Sequence, residues 1–248
     1  MPTPRIYSAT PLTPDTVMML DEYGRRHAIQ VLRLRESDPL TLFDGTGGEF
    51  PAAVEIIDRQ TVSVRTAQPE FPERESPLKL HLFQGISKGE RMDYAIQKAT
   101  ESGVAEITPL ICERTVVRLD RKRLEKRLLH WRKVAISACE QCGRNQIPQI
   151  HEPRLFQNFL SSLDSDPIEH GFVLDAVAKS KFSGFPLSQQ TIGRVGIIVG
   201  PEGGLSRQEI AAAEEAGFNG VQMGPRILRT ETASVVAIAI MQSLWGDL

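Results

Sequence analysis

The stretch Arg194-Val-Gly-Ile-Ile-Val-Gly-Pro-Glu-Gly-Gly-Leu-Ser206, followed by Arg207-Gln-Glu209, decides the fold of this chain. It opens with an apolar run of strand length, which Gly200 and Pro201 break. Ser206 with Glu209 three positions later is a capping box that starts a helix. A strand, a tight turn and a helix in alternation mark a parallel sheet covered by crossover helices. The same alternation runs through the second two thirds of the chain. Leu78 to Phe83 reads as a strand before a second capping box, Ser87 to Glu90, and a helix that Gly103 closes. Ile107 to Cys112 reads as a strand before a long helix from Arg121 to Gln141, with Leu124, Leu128, Trp131 and Ala135 on one face. Phe172 to Asp175, Val195 to Gly200 and Val221 to Met223 are further short strands, and Gly217 stops the helix that Ser206 opens. The last helix, Glu231 to Leu244, is apolar nearly all round and therefore buried on several sides.

Upstream the pattern is different. From Arg5 to Gln68 the apolar runs are short, Leu40 to Phe43 and Ala52 to Ile57 flank a turn at Asp44 to Gly48, and Asp21 to Leu34 reads as one helix with Asp21 as N-cap. Pro69 to Pro77 holds three prolines and three acids and reads as a linker, so the chain divides into a β-rich module, 1–72, and an α/β domain, 73–248. With 248 residues, 41% of them hydrophobic and 24% charged, the chain is long enough to bury a core. No apolar run reaches the ~18 residues needed to span a bilayer, and three cysteines fit a reducing compartment, so the expected location is cytoplasmic. Cys139 and Cys142 form a lone CxxC and the five histidines lack ligand spacing, so no metal is expected.

In an open parallel sheet, ligands gather at the carboxyl ends of strands. Two loops there stand out. In Gly200 to Ser206 three glycines let the backbone approach a ligand, next to the free N–H groups of a helix start; the plain alternative is a tight strand-to-helix turn. No Lys-Ser/Thr pair follows as in a Walker A loop, and the GxxGG order fails the dinucleotide fingerprint. Met223 to Ala233 places Arg226, Arg229, Glu231, Thr230 and Thr232 just before the apolar helix, more polar chemistry than a helix cap requires.

The two loops together resemble those of the bacterial 16S ribosomal RNA uridine-N3 methyltransferase family, within the trefoil-knotted SPOUT class. Met92 to Val104 and Ala138 to Arg144 resemble two further family segments, and Arg5 with His27 to Arg33 resembles its PUA-like RNA-binding module, so the similarity covers nearly the whole chain. Met223 and Ser102 stand where that family is expected to carry leucine. The resemblance implies a C-terminal SPOUT parallel-sheet domain with a trefoil knot, a small N-terminal PUA-like β-barrel, and a homodimer. It implies S-adenosylmethionine as methyl donor, with Leu174, Gly200, Pro201, Glu202, Gly203, Met223, Gly224, Ile227, Leu228 and Thr230 around it. The reaction implied is methylation of N3 of one uridine in 16S rRNA, in the decoding region of the small ribosomal subunit. N3 carries a proton at neutral pH, so Glu231 is the candidate base and Arg226 and Arg229 the candidates to stabilise charge on the uracil oxygens. RNA contacts are expected from Arg5, His27, Arg33, Lys88, Arg121, Lys122 and Arg144.

The net charge of −2 does not contradict an RNA partner. Between Arg114 and Lys133 nine Lys or Arg (Arg118 among them) face only Asp120 and Glu125, a surplus of seven, so the remainder of the chain carries −9. Such a strip tracks phosphates, or is simply a solvated helix face. The rival function is a non-catalytic dimeric RNA-binding or ribosome-assembly protein.

Overall fold

The computed structural model describes residues 3–116, 120–163, 167–187 and 193–248. They form two compact units, Met1–Glu75 with Ile136–Ile147, and Ser76–Ala135 with Pro148–Leu248.

The first unit is a five-stranded sheet. Its elements are β1 (Arg5–Tyr7), β2 (Val17–Met19), α1 (Glu22–Arg26), β3 (Pro39–Phe43), β4 (Phe50–Ile57) and β5 (Val62–Thr66). The strand order is β1-β3-β4-β5-β2, antiparallel except for β1 on β3. The expected hairpin is β3–β4, with Leu40 opposite Ala52 and Leu42 opposite Phe50. Alternation puts Leu40, Leu42, Val54, Val62 and Val64 into one core with Ile6 and Ala28. Asp21 does cap the helix, accepting the Gly24 N–H at 2.7 Å. The helix does not run evenly to Leu34, however. After Arg26 it widens into a π turn, 27–32, and ends at Arg33 in the left-handed region (φ 53), where the N–H groups of Arg33 and Leu34 share the Ala28 carbonyl. Two donors thus converge on a single carbonyl near the helix end, where carbonyls are the groups left without intrahelical partners. Residues 136–147 complete this unit. Glu140 accepts from Tyr23 Oη (2.8 Å) and the Tyr7 amide (3.1 Å), and Arg144 pairs with Glu75 at 2.7 Å.

The second unit contains β6 (Lys79–Gly85), α2 (Glu90–Glu101), β7 (Glu106–Ile111), α3 (Arg121–Cys142, its last turns counted with the first unit), β8 (Gln149–Ile150), β9 (Arg154–Leu155), α4 (Phe156–Ser162), β10 (His170–Leu174), β11 (Arg194–Val199), α5 (Arg207–Glu215), β12 (Phe218–Val221) and α6 (Thr230–Trp245). All seven strands are parallel, in the order β12-β10-β11-β6-β7-β8, with β9 paired to the end of β7. On one face of the sheet Phe83, Phe156, Phe159 and Phe218 pack together. Elsewhere Phe172 stacks on Trp245 of α6 at 5.4 Å, and α6 packs against α2.

Two expectations need correcting. Ser206 and Glu209 form the full capping box, but Ser87 and Glu90 do not: Gly89 is the N-cap (φ 63) and Ser87 Oγ turns back to the Gly85 carbonyl at 3.4 Å. The Lys88 amide, in the same turn, is met by Glu202 at 2.8 Å. The last strand is Phe218–Val221, so Met223 lies in the loop after it.

At the amino-terminal edge of the sheet sits a charged cluster. Glu106 accepts from His151 Nε2 (2.7 Å) and Arg194 Nη2 (2.9 Å), with His81 Nδ1 3.7 Å away. The bond from His151, with the His81 and Arg194 charges, pulls the Glu106 carboxyl down to about 2 against the opposing effect of burial. A carboxylate lowered by folding stabilises above its unfolded value, near 4.5, and loses that contribution as pH falls toward 2. Glu106→Gln is therefore expected to cost about 1–3 kcal/mol at pH 7. Thermal melts of both proteins should converge as pH is lowered through 4 to about 2; a gap that stays constant with pH would refute the assignment.

Candidate active site

The loops leaving β10, β11 and β12, with the first turn of α6, enclose a cavity of about 590 Å³, a size that suits a small organic ligand. It lies at the carboxyl ends of the strands, where the order turns back and β11 is laid between β10 and β6.

One buried side chain sets its floor. Gln84, at the end of β6 and 0% exposed, donates to Thr230 Oγ1 and to the Gly85 carbonyl, both at 3.0 Å, and accepts from Ser234 Oγ. Thr230 Oγ1 in turn donates to the Gly200 carbonyl at 2.6 Å. The β11 loop passes so close to β6 that a Cβ on Gly85 would lie 2.4 Å from Pro201 N and 2.8 Å from the Gly200 carbonyl carbon. Beyond this crossing the loop is held by the capping box and by Glu209, whose Oε1 accepts the Glu113 N–H at 2.8 Å.

All the residues expected to hold the donor, Leu174, Gly200, Pro201, Glu202, Gly203, Met223, Gly224, Ile227, Leu228 and Thr230, line this cavity, and so do Arg226, Arg229 and Glu231. Glu202 Oε1 accepts from Arg91 Nη1 at 3.0 Å as well as from the Lys88 amide. Burial works to raise this carboxyl, yet the donors outweigh it and hold it below the usual carboxylate range. Glu231 is largely buried; its Oε1 lies 3.9 Å from Arg91 Nε and its buried Oε2 has no hydrogen-bond partner. Arg91, Arg114 and Asp175 also line the cavity and escaped the sequence reading. Arg114 donates to the Gly203 carbonyl at 3.0 Å, and Asp175 lies 3.5 Å from Arg207. All three follow or nearly follow strand ends, which is the signal that was available.

The residues expected to touch RNA separate into two groups. Arg33, Lys88 and Lys122 are exposed. Arg5 and Arg144 are turned inward: Arg5 pairs with Glu49 and donates to Asn145 Oδ1 at 2.6 Å, and Arg144 is occupied by Glu75. His27 Nδ1 sits 3.6 Å from Glu140. The side chain of Arg121, and Arg118 altogether, lie outside the described residues. Among the other cations of the strip, Arg123, Lys126, Arg132 and Lys133 are exposed on α3. The histidines do converge in one place that linear spacing hides: His81, Glu106 and His151 bring donor atoms within 4.8 Å of one another, and Arg194 occupies the same cluster.

A parallel-sheet domain with a polar, glycine-walled cleft at a strand-order reversal, attached to a small β module, defines a ligand-binding α/β enzyme architecture. Residues 74–242 match the family described as an RNA methyltransferase domain, and residues 25–66 the RNA methyltransferase PUA domain. The chain is 36% identical over 98% of its length, and 94% of the relative's, to ribosomal RNA small subunit methyltransferase E of Buchnera aphidicola from Acyrthosiphon pisum. Against the enzyme of that name from Bacillus subtilis it is 31% identical over 86% of its length and 84% of that protein's. Two crystal structures superpose closely. A putative methyltransferase from Legionella pneumophila in complex with S-adenosylmethionine gives TM-score 0.95 at 40% identity, over 100% of both chains. A ribosomal RNA small subunit methyltransferase E from Neisseria gonorrhoeae bound to S-adenosylmethionine gives 0.90 at 38%, over 99% of both. The chain belongs to the ribosomal RNA small subunit methyltransferase E family.

The loop crossing makes a structural prediction. Gly85→Ala drives a methyl group into backbone and is expected to cost about 1–3 kcal/mol, lowering Tm by roughly 2–10 °C. Gly184→Ala meets nothing within 4 Å and serves as the control. Equal melting temperatures for the two variants would show that the crossing is not tight.

Proposed function

We propose that this protein methylates N3 of a uridine in the 16S rRNA of the small ribosomal subunit, with S-adenosylmethionine as donor. The observation that carries the reading is the cavity itself, whose lining combines close backbone approach, apolar side chains and, at Glu231, a carboxylate with one buried oxygen that has no hydrogen-bond partner. The cavity fits the donor. Leu174, Met223 and Leu228 offer apolar contact to an adenine ring, and three acids, Asp175, Glu202 and Glu231, suit a cationic sulfonium. When bound, the donor supplies an electrophilic methyl group held close to its acceptor.

The remaining steps belong to the chain. N3 is a Watson–Crick edge atom, so the target base must be unpaired or drawn out of its stack to enter the cleft. Glu231 takes the N3 proton, and Arg226 and Arg229, exposed at the rim, stabilise the negative charge that spreads onto O2 and O4. The nitrogen lone pair then takes the methyl group, and the sulfonium leaves as a neutral thioether. The first 72 residues and the outer face of α3 guide the RNA. The partly exposed Val235, Val236 and Ile240 and exposed Leu244 on α6 supply an apolar stripe for a second subunit, in keeping with the homodimer the resemblance implies. Among the described residues no helix is long and apolar enough to cross a membrane, and a ribosomal substrate places the protein in the cytoplasm. A purely non-catalytic role leaves the ligand cavity and its orphan carboxylate without purpose.

Two outcomes follow. Incubation with small subunits and S-adenosylmethionine should yield 3-methyluridine on nucleoside analysis, and Glu231→Gln should lower turnover by about 10²–10⁴-fold with donor and RNA binding retained. Full turnover in that variant removes the base assignment. Affinity for the RNA should fall steeply with salt, and Lys122→Gln or Lys126→Gln should each reduce the slope of log K against log[salt] by about one; a flat response would count against the α3 surface.

A further inference from the structure

Arg91, in the first turn of α2, lies between two carboxylates from different elements. Its Nη1 is 3.0 Å from Glu202 Oε1 on the β11 loop, and its Nε is 3.9 Å from Glu231 Oε1 on α6. The two acids are held unequally. Glu202 has a second donor, the Lys88 amide, so its place is fixed from both sides. Glu231 has the Arg91 charge on one oxygen, while the other is buried without a hydrogen-bond partner. A buried carboxylate oxygen with no donor is costly, and its retention calls for an explanation outside the folded chain, such as a donor that arrives with a ligand.

Stability does not account for Arg91. Its side chain is 46% exposed, and ion pairs at that exposure contribute little to folding. What the guanidinium supplies is geometry. Its planar fork presents Nη1 and Nε to two carboxylates at once, which a lysine ammonium on a single flexible stem does not reproduce. Without it, Glu231 has three free side-chain torsions and no fixed charge to aim them.

We propose that Arg91 is a positioning residue for methyl transfer: anchored on Glu202, it fixes the carboxylate of Glu231 at the mouth of the donor cavity so that the unpartnered oxygen meets the N–H of the substrate. The proposal rests on the reading of Glu231 as base. Arg91 acts through Glu231 and takes no part in proton or methyl transfer itself. It also couples the two loops chemically: the acid that fixes Arg91 is part of the donor loop, and the acid that Arg91 fixes belongs to the final helix.

The test is a double-mutant cycle on the full-length protein with S-adenosylmethionine and small-subunit RNA, read as kcat, KM for RNA and calorimetric donor Kd. Arg91→Ala is expected to lower kcat by up to about 100-fold, the scale of an ångström of misplacement, while donor Kd and KM shift by less than about threefold, as expected when only the transition-state step loses an interaction. Arg91→Lys restores part of the loss. In a Glu231→Asp background, where the carboxylate is withdrawn one methylene from the guanidinium, adding Arg91→Ala costs less than about twofold. An equal loss in both backgrounds overturns the proposal, and so does a loss confined to donor Kd or to KM, which would make Arg91 a ligand contact. Should Arg91→Ala not fold, Arg91→Gln carries the same comparison. Glu231→Gln alone decides the base reading, so its failure is seen separately from a failure of coupling.

Discussion

The cavity depends on the hydrogen-bond relay from Gln84 through Thr230 to the Gly200 carbonyl. Gln84 is fully buried, and a buried amide left unpaired costs about 1–3 kcal/mol. Its partners lie far apart in the sequence: the end of β6, the start of α6 and the exit of β11 must all be in place before the amide is satisfied. The relay is therefore a check on assembly as well as a bond. It brings the β11 loop against β6 so closely that Gly85 has no room for a side chain, and that contact leaves Pro201 to Gly204 along one wall and the first turn of α6 along another.

Charge is organised around this frame in two ways. Within the cavity each carboxylate has a nearby cation, while the buried Oε2 of Glu231 has no hydrogen-bond partner. Away from it, cations divide by burial. Arg5 and Arg144 are spent on Glu49 and Glu75 inside the small unit, where Arg74 is a second partner of Glu49 and the Asn145 and Gln146 amides are further donors to Glu75. Lys122, Arg123, Lys126, Arg132 and Lys133 of α3 face solvent, where they are available to phosphates. A count of basic residues does not distinguish these uses.

Much of the architecture was legible because it rests on local rules. The alternation of apolar runs and capped helices gave the parallel sheet, the Leu40–Phe43 and Ala52–Ile57 runs gave the hairpin, and the glycine-rich and Arg-Thr-Glu loops gave the cavity walls. The failures have a common physical cause. Ser87 and Ser206 carry the same capping pattern, yet only Ser206 caps: near Ser87 the helix starts two residues later, at Gly89, and the Lys88 amide goes to a carboxylate distant in sequence, Glu202. His81, Glu106, His151 and Arg194 read as unrelated residues until the starts of three strands and the end of a fourth set them side by side. Arg91 escaped the sequence reading because its partners lie more than a hundred residues away. Strand order, chain crossing and long-range ion pairs leave no periodic trace, and the family resemblance supplied what periodicity could not.

The rim of the cavity shows why catalysis here needs more than a formed pocket. Thr230 is fixed at both ends by hydrogen bonds, while three residues earlier Ile227 is 90% exposed and flanked by exposed Arg226. A large apolar side chain in that position gains nothing for the isolated chain; its burial, worth about 1.5–3 kcal/mol when complete, becomes available only when something covers the rim. Because Arg226 and Arg229 stand in the same segment and line the same cavity, whatever covers Ile227 also comes close to their guanidiniums. Removal of water strengthens their pull on charge developing at the base. Under the proposed reaction the buried relay and the uncovered rim would divide the work: the relay sets the cavity walls, and cover over the rim would strengthen the arginines' pull on the base.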